Sequence, residues 1–119
     1  MSPIVTVLTV HTVQLRTLGA MKAELNGVVL ADANEDDIVK IEGNWYFAPH
    51  TVTFDYFTES PTAYTCSWKG ACQYYSLQAG GTEVADGAWA YPNLIAGAVE
   101  RVGRDFSGYV AFGPKVSVS

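Results

Sequence analysis

The chain has 119 residues, 49% hydrophobic and 13% aromatic, and twelve acidic against seven basic residues give a formal charge of −5. That length buries one core and not two, and apolar residues interrupted by Thr, Ser and Gly describe half-buried strands rather than a disordered chain. The basic residues Arg16, Lys22, Lys40, Lys69, Arg101, Arg104 and Lys115 are dispersed, so the clustered cations that track phosphates are missing and nucleic acid is not an expected partner.

The β-branched run 4–10 reads as a strand, and residues before Met21 read as an N-terminal extension. The apolar stretch 4–15 falls short of the roughly 20 residues of a spanning helix, so no membrane role is expected. No basic n-region or small-residue cleavage site is present at the start. A cytoplasmic protein with reduced thiols is the expectation.

From residue 22 the pattern sharpens. Runs 22–25 and 28–31 flank Asn26-Gly27, the pair that best satisfies the two positive φ angles of a type I′ hairpin turn. The acidic Glu35-Asp36-Asp37 reads as a solvated turn. Residues 37–47 then read as one strand, with Val39, Ile41, Trp45 and Phe47 on one face, Lys40, Glu42, Asn44 and Tyr46 on the other, and a bend at Gly43. Pro49 ends it, and 51–57 reads as a helical turn capped by Thr51.

Three strands follow at 62–67, 71–78 and 83–91. Trp68-Lys69-Gly70 suits a three-residue loop closed by a left-handed glycine, which sets Cys66 opposite Cys72 and Tyr64 opposite Tyr74. Gly80-Gly81 suits a two-residue loop, setting Cys72 opposite Trp89, Tyr74 opposite Gly87 and Tyr75 opposite Asp86. One face of this meander therefore carries Tyr64, Cys66, Cys72, Tyr74 and Trp89, with Trp68 at its rim. Pro92 stops the third strand, 94–99 reads as a short helical connection, 108–112 as a closing strand and 115–119 as a tail.

Three motifs in order, Glu42-Gly43-Asn44-Trp45-Tyr46-Phe47, then Thr65-Cys66-Ser67-Trp68-Lys69-Gly70 with Tyr74-Tyr75, then Asp86-Gly87-Ala88-Trp89-Ala90-Tyr91-Pro92, carry a resemblance. The chain resembles the bacterial and fungal family known as domain of unknown function 427, over about residues 21–112. The resemblance implies a mostly β fold with small α content: a single compact antiparallel β domain of β-tent (Mss4-like) architecture, similar to methionine sulfoxide reductase B and the ligand-binding domain of cereblon. It implies no established activity. Ser67 stands where members commonly carry proline. A nucleotidyltransferase label is sometimes attached to the family, but the chain has no Gly-Ser followed by paired aspartates to hold a metal and a nucleotide.

Several readings of these residues stand side by side. Cys66 and Cys72 suit either a redox pair or two small core fillers. A zinc site is disfavoured, because the cysteines are not in a C-x-x-C arrangement and His50 is the one histidine within the resemblance. Lys69 suits an anion-holding group, a nucleophile or a solvated turn residue, and Asp86 suits an acid or base or a structural partner of tyrosine. Trp45 falls on an apolar face and reads as core.

The leading reading is a small-molecule binding module. Trp68, Tyr74 and Trp89 would give apolar contact, and Lys69, Asn44 and Asp86 would orient polar groups beside Tyr46. The rival is an enzyme using Cys66 as nucleophile or redox centre, with Lys69 lowering its pKa. A third reading is a structural or protein-interaction domain without a pocket. No motif calls for a cofactor.

Overall fold

In a computed structural model, the structure describes residues 20–119; the strand expected at 4–10 lies outside them. Among the described residues there are nine strands, all paired antiparallel, in two sheets. The smaller sheet has the order β2-β1-β9, built from β1 (Met21–Leu25), β2 (Val28–Ala33) and β9 (Ser117–Val118). The larger has the order β3-β4-β8-β7-β6-β5. Its strands are β3 (Ile38–Ile41), β4 (Asn44–Phe47), β5 (Phe57–Cys66), β6 (Gly70–Ala79), β7 (Thr82–Ala90) and β8 (Val110–Phe112). One short helix, α1 (Ala98–Val102), comes after β7. No helix of the described residues is long and apolar enough to cross a membrane.

The Asn-Gly hairpin forms as its residues dictate: Leu25 pairs with Val28, and Asn26 and Gly27 take φ of 50° and 82°. Its tip packs on the next glycine turn. The Asn26 side-chain amide donates to the Gly80 carbonyl, joining a corner of the small sheet to a corner of the large one.

The segment 37–47 is a hairpin and not a single strand. Ile41 pairs with Asn44 across a Glu42-Gly43 turn whose φ values, 51° and 86°, match those of Asn26-Gly27. Glutamate seldom occupies such a position, which is why alternation through the segment masks the turn. Reversal of the chain regroups the side chains: Val39 pairs with Tyr46 and Lys40 with Trp45, so Val39 and Ile41 share a face with Tyr46 while Trp45 lies with Phe47. The Lys40 ammonium sits 5.4 Å from the Trp45 ring.

Residues 51–57 hold no helix capped by Thr51. Two single 3₁₀ turns, Pro49–Thr51 and Phe54–Tyr56, flank a bridge from Val52 to Ala31, and the Thr51 hydroxyl donates back to the Ala48 carbonyl at 2.7 Å. β5 starts at Phe57, earlier than its expected start at 62. It tolerates Pro61 because it is an edge strand and because Ser60-Pro61-Thr62 bulges outward: Glu59 pairs with Tyr75, yet Ala63 pairs with Gln73. The helix lies at Ala98–Val102 rather than 94–99, entered through Gly97 in a left-handed conformation. The stretch 115–119, read as a tail, contributes β9 to the edge of β1.

Two registers also differ from expectation. The corner after β5 is Ser67-Trp68-Lys69, so Cys66 pairs with Gly70 and Tyr64 with Cys72; Cys66 and Cys72 are diagonal neighbours, not opposed. On the other side of β6, Ala79 pairs with Thr82 and Leu77 with Val84 as the Gly80-Gly81 turn requires. A bulge around Asp86, at φ 52°, then advances β7, so Tyr75 faces Ala88 and Tyr74 faces Trp89. Asp86 is therefore not opposite Tyr75. Both registers move by two residues, the repeat of a strand, so Tyr64, Cys66, Cys72, Tyr74 and Trp89 keep their common face, while Asp86 and Gly87 change sides within the bulge.

The larger sheet has a core on each face. Toward the small sheet lie Leu25, Leu30, Phe47, Leu77, Val110 and Phe112. Toward the segment after β7 lie Ile41, Tyr46, Cys66, Tyr91, Ala98 and Phe106. Gly87, within the β7 bulge, marks a tight approach within this core: an added Cβ would stand 2.8 Å from both Leu77 Cδ1 and Val84 Cγ1. Gly87→Ala is expected to destabilise the domain by about 1–3 kcal/mol through overpacking. Gly113→Ala is expected to cost less, since its Cβ would meet the Gly87 carbonyl at an ordinary 3.5 Å; urea unfolding midpoints of the two variants measure the difference.

Candidate functional site

The β5–β6 corner brings the Cys-Ser-Trp-Lys-Gly motif against the β3–β4 turn. Gly70 permits it: its φ is 119°, and a Cβ there would stand 2.7 Å from the Asn93 carbonyl oxygen. The Ile95 N–H donates to the Lys69 carbonyl at 3.0 Å, fastening the segment after β7 to the same corner.

Lys69 points inward and is only 3% exposed, so it is not a solvated turn residue. Its ammonium donates to the Glu42 carboxylate at the tip of the opposite hairpin, lies 3.5 Å from Cys66 Sγ, and sits over the rings of Trp68 (4.5 Å) and Tyr91 (5.1 Å). A buried cation requires this company, since desolvation alone would neutralise it. Burial does pull the Lys69 ammonium down, but Glu42, with Tyr46 and Cys66 adding to it, overrides that pull and holds it above its ordinary value. The hydrogen bond from Lys69 holds the Glu42 carboxyl below its ordinary value, outweighing desolvation, with Trp68 and Arg101 reinforcing it. Arg101, from α1, lies 4.3 Å from the Trp68 ring, so that indole contacts two cations.

The two thiols, both free, differ in their surroundings. At Cys66 burial acts to raise the thiol, but the N–H groups of Trp68 and Lys69 and the Lys69 ammonium together hold it below the usual range. At Cys72, partly exposed on β6, burial outweighs a hydrogen bond from Tyr91 and the thiol is pushed up. Burial raises Tyr91 as well, keeping that phenol neutral.

Of the residues singled out in the sequence, Tyr46, Trp68 and Trp89 join Cys66 and Cys72 in or against one cluster. The Trp89 indole N–H donates to the Tyr46 hydroxyl at 3.1 Å, and Tyr74, paired with Trp89, has its ring centroid 6.3 Å away. Toward β5 this face stays open: Tyr64 is 52% exposed, and Cys72, Tyr74 and Trp89 are half-buried. Asn44 starts β4 on the same face as Tyr46 and is half-buried. The Lys69 ammonium is engaged by Glu42 and lies beside Cys66. Asp86 belongs to a separate pair of bulges, where its carboxylate accepts from the Thr62 hydroxyl at 2.7 Å and its N–H donates to Ser76 Oγ at 3.2 Å.

Glu42, Tyr91 and Arg101 escaped the sequence reading. Glu42 and Tyr91 lie within the three motifs without standing out as site residues, and Glu42-Gly43 also carries a turn signal between two strand-like runs.

The model of a family described as a domain of unknown function (DUF427) matches residues 14–118, a wider span than the three motifs mark out. No curated protein matches the chain.

The Glu42–Lys69 pair has a definite pH signature. A carboxyl depressed in the folded state adds stability above its unfolded value near 4.5, lost as pH falls through the folded value. An ammonium raised in the folded state adds stability below about 10.5, lost as pH rises through its folded value. Glu42→Gln is therefore expected to cost about 1–3 kcal/mol between those limits, below the range for a fully buried pair because the carboxylate faces water. The gap from the unaltered protein should close toward acid and toward alkali, as tracked by urea unfolding across pH.

Proposed function

We propose that this chain, which belongs to the DUF427 family, is a small-molecule binding module whose ligand lies on the open half of the aromatic face. The observation that carries the reading is the Trp89–Tyr74 pair. Two half-buried rings stand side by side on adjacent strands, and the one indole N–H is already taken by Tyr46. What Trp89 offers to a visitor is ring surface without a polar demand, which suits a planar, largely apolar molecule. Tyr46 is held by the same hydrogen bond, and its hydroxyl, an acceptor toward Trp89, keeps its own proton to donate.

In this reading Trp68 adds further ring surface; it is fixed between Lys69 and Arg101 and against Phe106 at a centroid distance of 6.3 Å. Asn44 supplies a polar edge. Lys69 is the internal clamp that holds the Trp68 ring in place, and Asp86 shapes the rim through the bulge that sets Trp89 against Tyr74. The β-tent architecture expected from the resemblance accords with such a face between strands.

A screen of planar heteroaromatic compounds by thermal shift, with titration of tryptophan fluorescence for the hits, tests the proposal. Compounds that raise the unfolding midpoint should quench that emission, and Trp89→Ala or Tyr74→Ala should weaken them by about tenfold or more, or roughly 1.4 kcal/mol. Binding that survives both substitutions removes the Trp89–Tyr74 pair as the site, and no stabilisation by any compound favours a purely structural domain.

A further inference from the structure

We propose that Cys66 is a site of oxidation by small hydroperoxides, with Lys69 beside it as proton donor and Glu42 as the residue that positions Lys69. The inference rests on Cys66, Lys69 and Glu42 rather than on the Trp89–Tyr74 pair and goes beyond ligand binding. Cys66 Sγ ends β5 at a tight corner, with the Lys69 ammonium 3.5 Å away, and that ammonium is tethered by the Glu42 carboxylate across from it. A nucleophile, an adjacent cationic acid and a third group orienting the acid make the arrangement from which activated thiolates are built.

Glu42 takes a left-handed φ of 51° at a turn position that glycine or asparagine would fill with less strain. That conformation is retained where the carboxylate reaches the ammonium. The ionisable groups around the sulfur are Lys69 and Glu42, then Cys72 on β6, Tyr46 on β4 and Tyr91 after β7. Both tyrosines are raised by burial and so stay neutral, leaving Lys69 as the charge nearest the sulfur.

Burial selects the reactant. At 7% exposure Cys66 admits a molecule of a few atoms and not a bulky electrophile. The Cys66 thiolate attacks the terminal oxygen of the hydroperoxide, the S–O bond forms and the O–O bond breaks. Sulfur is oxidised by two electrons, and the peroxide is reduced to alcohol, or to water from hydrogen peroxide. The departing alkoxide takes a proton from the Lys69 ammonium, and Lys69 recovers one from the new sulfenic acid, leaving a sulfenate.

Strand register sets the fate of the oxidised sulfur. Cys66 pairs with Gly70 and Cys72 with Tyr64, so the two thiols are diagonal neighbours. Diagonal positions lie about 7–8 Å apart, beyond the roughly 4.4–6.8 Å that a disulfide spans between Cα atoms. Cys72 therefore does not resolve the sulfenate, which persists until an external thiol reduces it.

The test treats the folded full chain with hydrogen peroxide across pH for timed intervals, then quenches it into denaturant containing dimedone, which reaches the sulfenic acid only after unfolding, with adducts located by peptide mass spectrometry. The expected result is an adduct on Cys66 forming about tenfold or more faster than on Cys72, the ratio that one pH unit of thiolate fraction gives. Half-maximal reaction at Cys66 should fall below the ordinary thiol range. Lys69→Met and Glu42→Gln should both move it upward. Glu42→Gln keeps the size of an exposed side chain and carries the test alone if Lys69→Met does not fold. Equal labelling of the two cysteines, a pH profile unmoved by Glu42→Gln, or an internal Cys66–Cys72 disulfide as the product would each overturn the proposal.

Discussion

The burial of one ammonium organises much of this domain. Lys69 is 3% exposed, and a charge so far from water is tolerated only where a counter-charge and polar neighbours replace its hydration. Glu42 supplies the counter-charge from another hairpin, so the β3–β4 turn cannot move away from the β5–β6 corner without stranding a cation. The aromatic rings over the ammonium answer the same demand, and Arg101 lies against the Trp68 ring as a second cation. An electrostatic need at a single atom thereby fixes the relative placement of three chain segments.

The larger sheet turns that constraint into two chemically different faces. One is packed against the small sheet through Leu30, Phe47, Leu77 and Val110, all nearly inaccessible to water. The other is only half covered by α1, Phe106 and Leu94. Bulges in β5 and β7 flank the same stretch of β6 and are joined by the Thr62–Asp86 hydrogen bond. The β7 bulge carries Trp89 two residues along until it stands beside Tyr74. An irregularity in an interior strand thus composes the aromatic pair.

Much of this was legible in the residues, for a reason the errors make plain. Turn chemistry at Asn26-Gly27 and Gly80-Gly81 located both corners, because glycine and asparagine are the cheap occupants of positive φ. The meander came from the Trp68-Lys69-Gly70 corner and from Gly80-Gly81, and so did the gathering of Tyr64, Cys66, Cys72, Tyr74 and Trp89 on one face. Registers around Cys66 and Trp89 were displaced by two, but side-chain direction repeats every two residues, so the face survived.

Where the misjudged feature was a reversal, nothing was spared: the turn hidden at Glu42-Gly43 exchanged the neighbours of Val39 and Ile41. Glutamate at a left-handed position is a poor turn signal, and its reason for being there, a lysine distant in sequence, is invisible to any local pattern. The inward aim of Lys69 was hidden likewise, since a lysine beside glycine at a corner reads as a surface residue. Tertiary pairing of unlike charges is what a single chain read in order conceals.

The contact between the Asn26 amide and the Gly80 carbonyl exposes the fold to slow chemical ageing. An asparagine with glycine next in the chain is prone to cyclise to a succinimide and hydrolyse to aspartate or isoaspartate, because the glycine N–H meets little hindrance. The product carries acceptor oxygens where a donor stood, and lone pairs would confront lone pairs at the junction of the two sheets. The residue pair that makes the first hairpin easy to form is thus also the one through which time would loosen the sandwich.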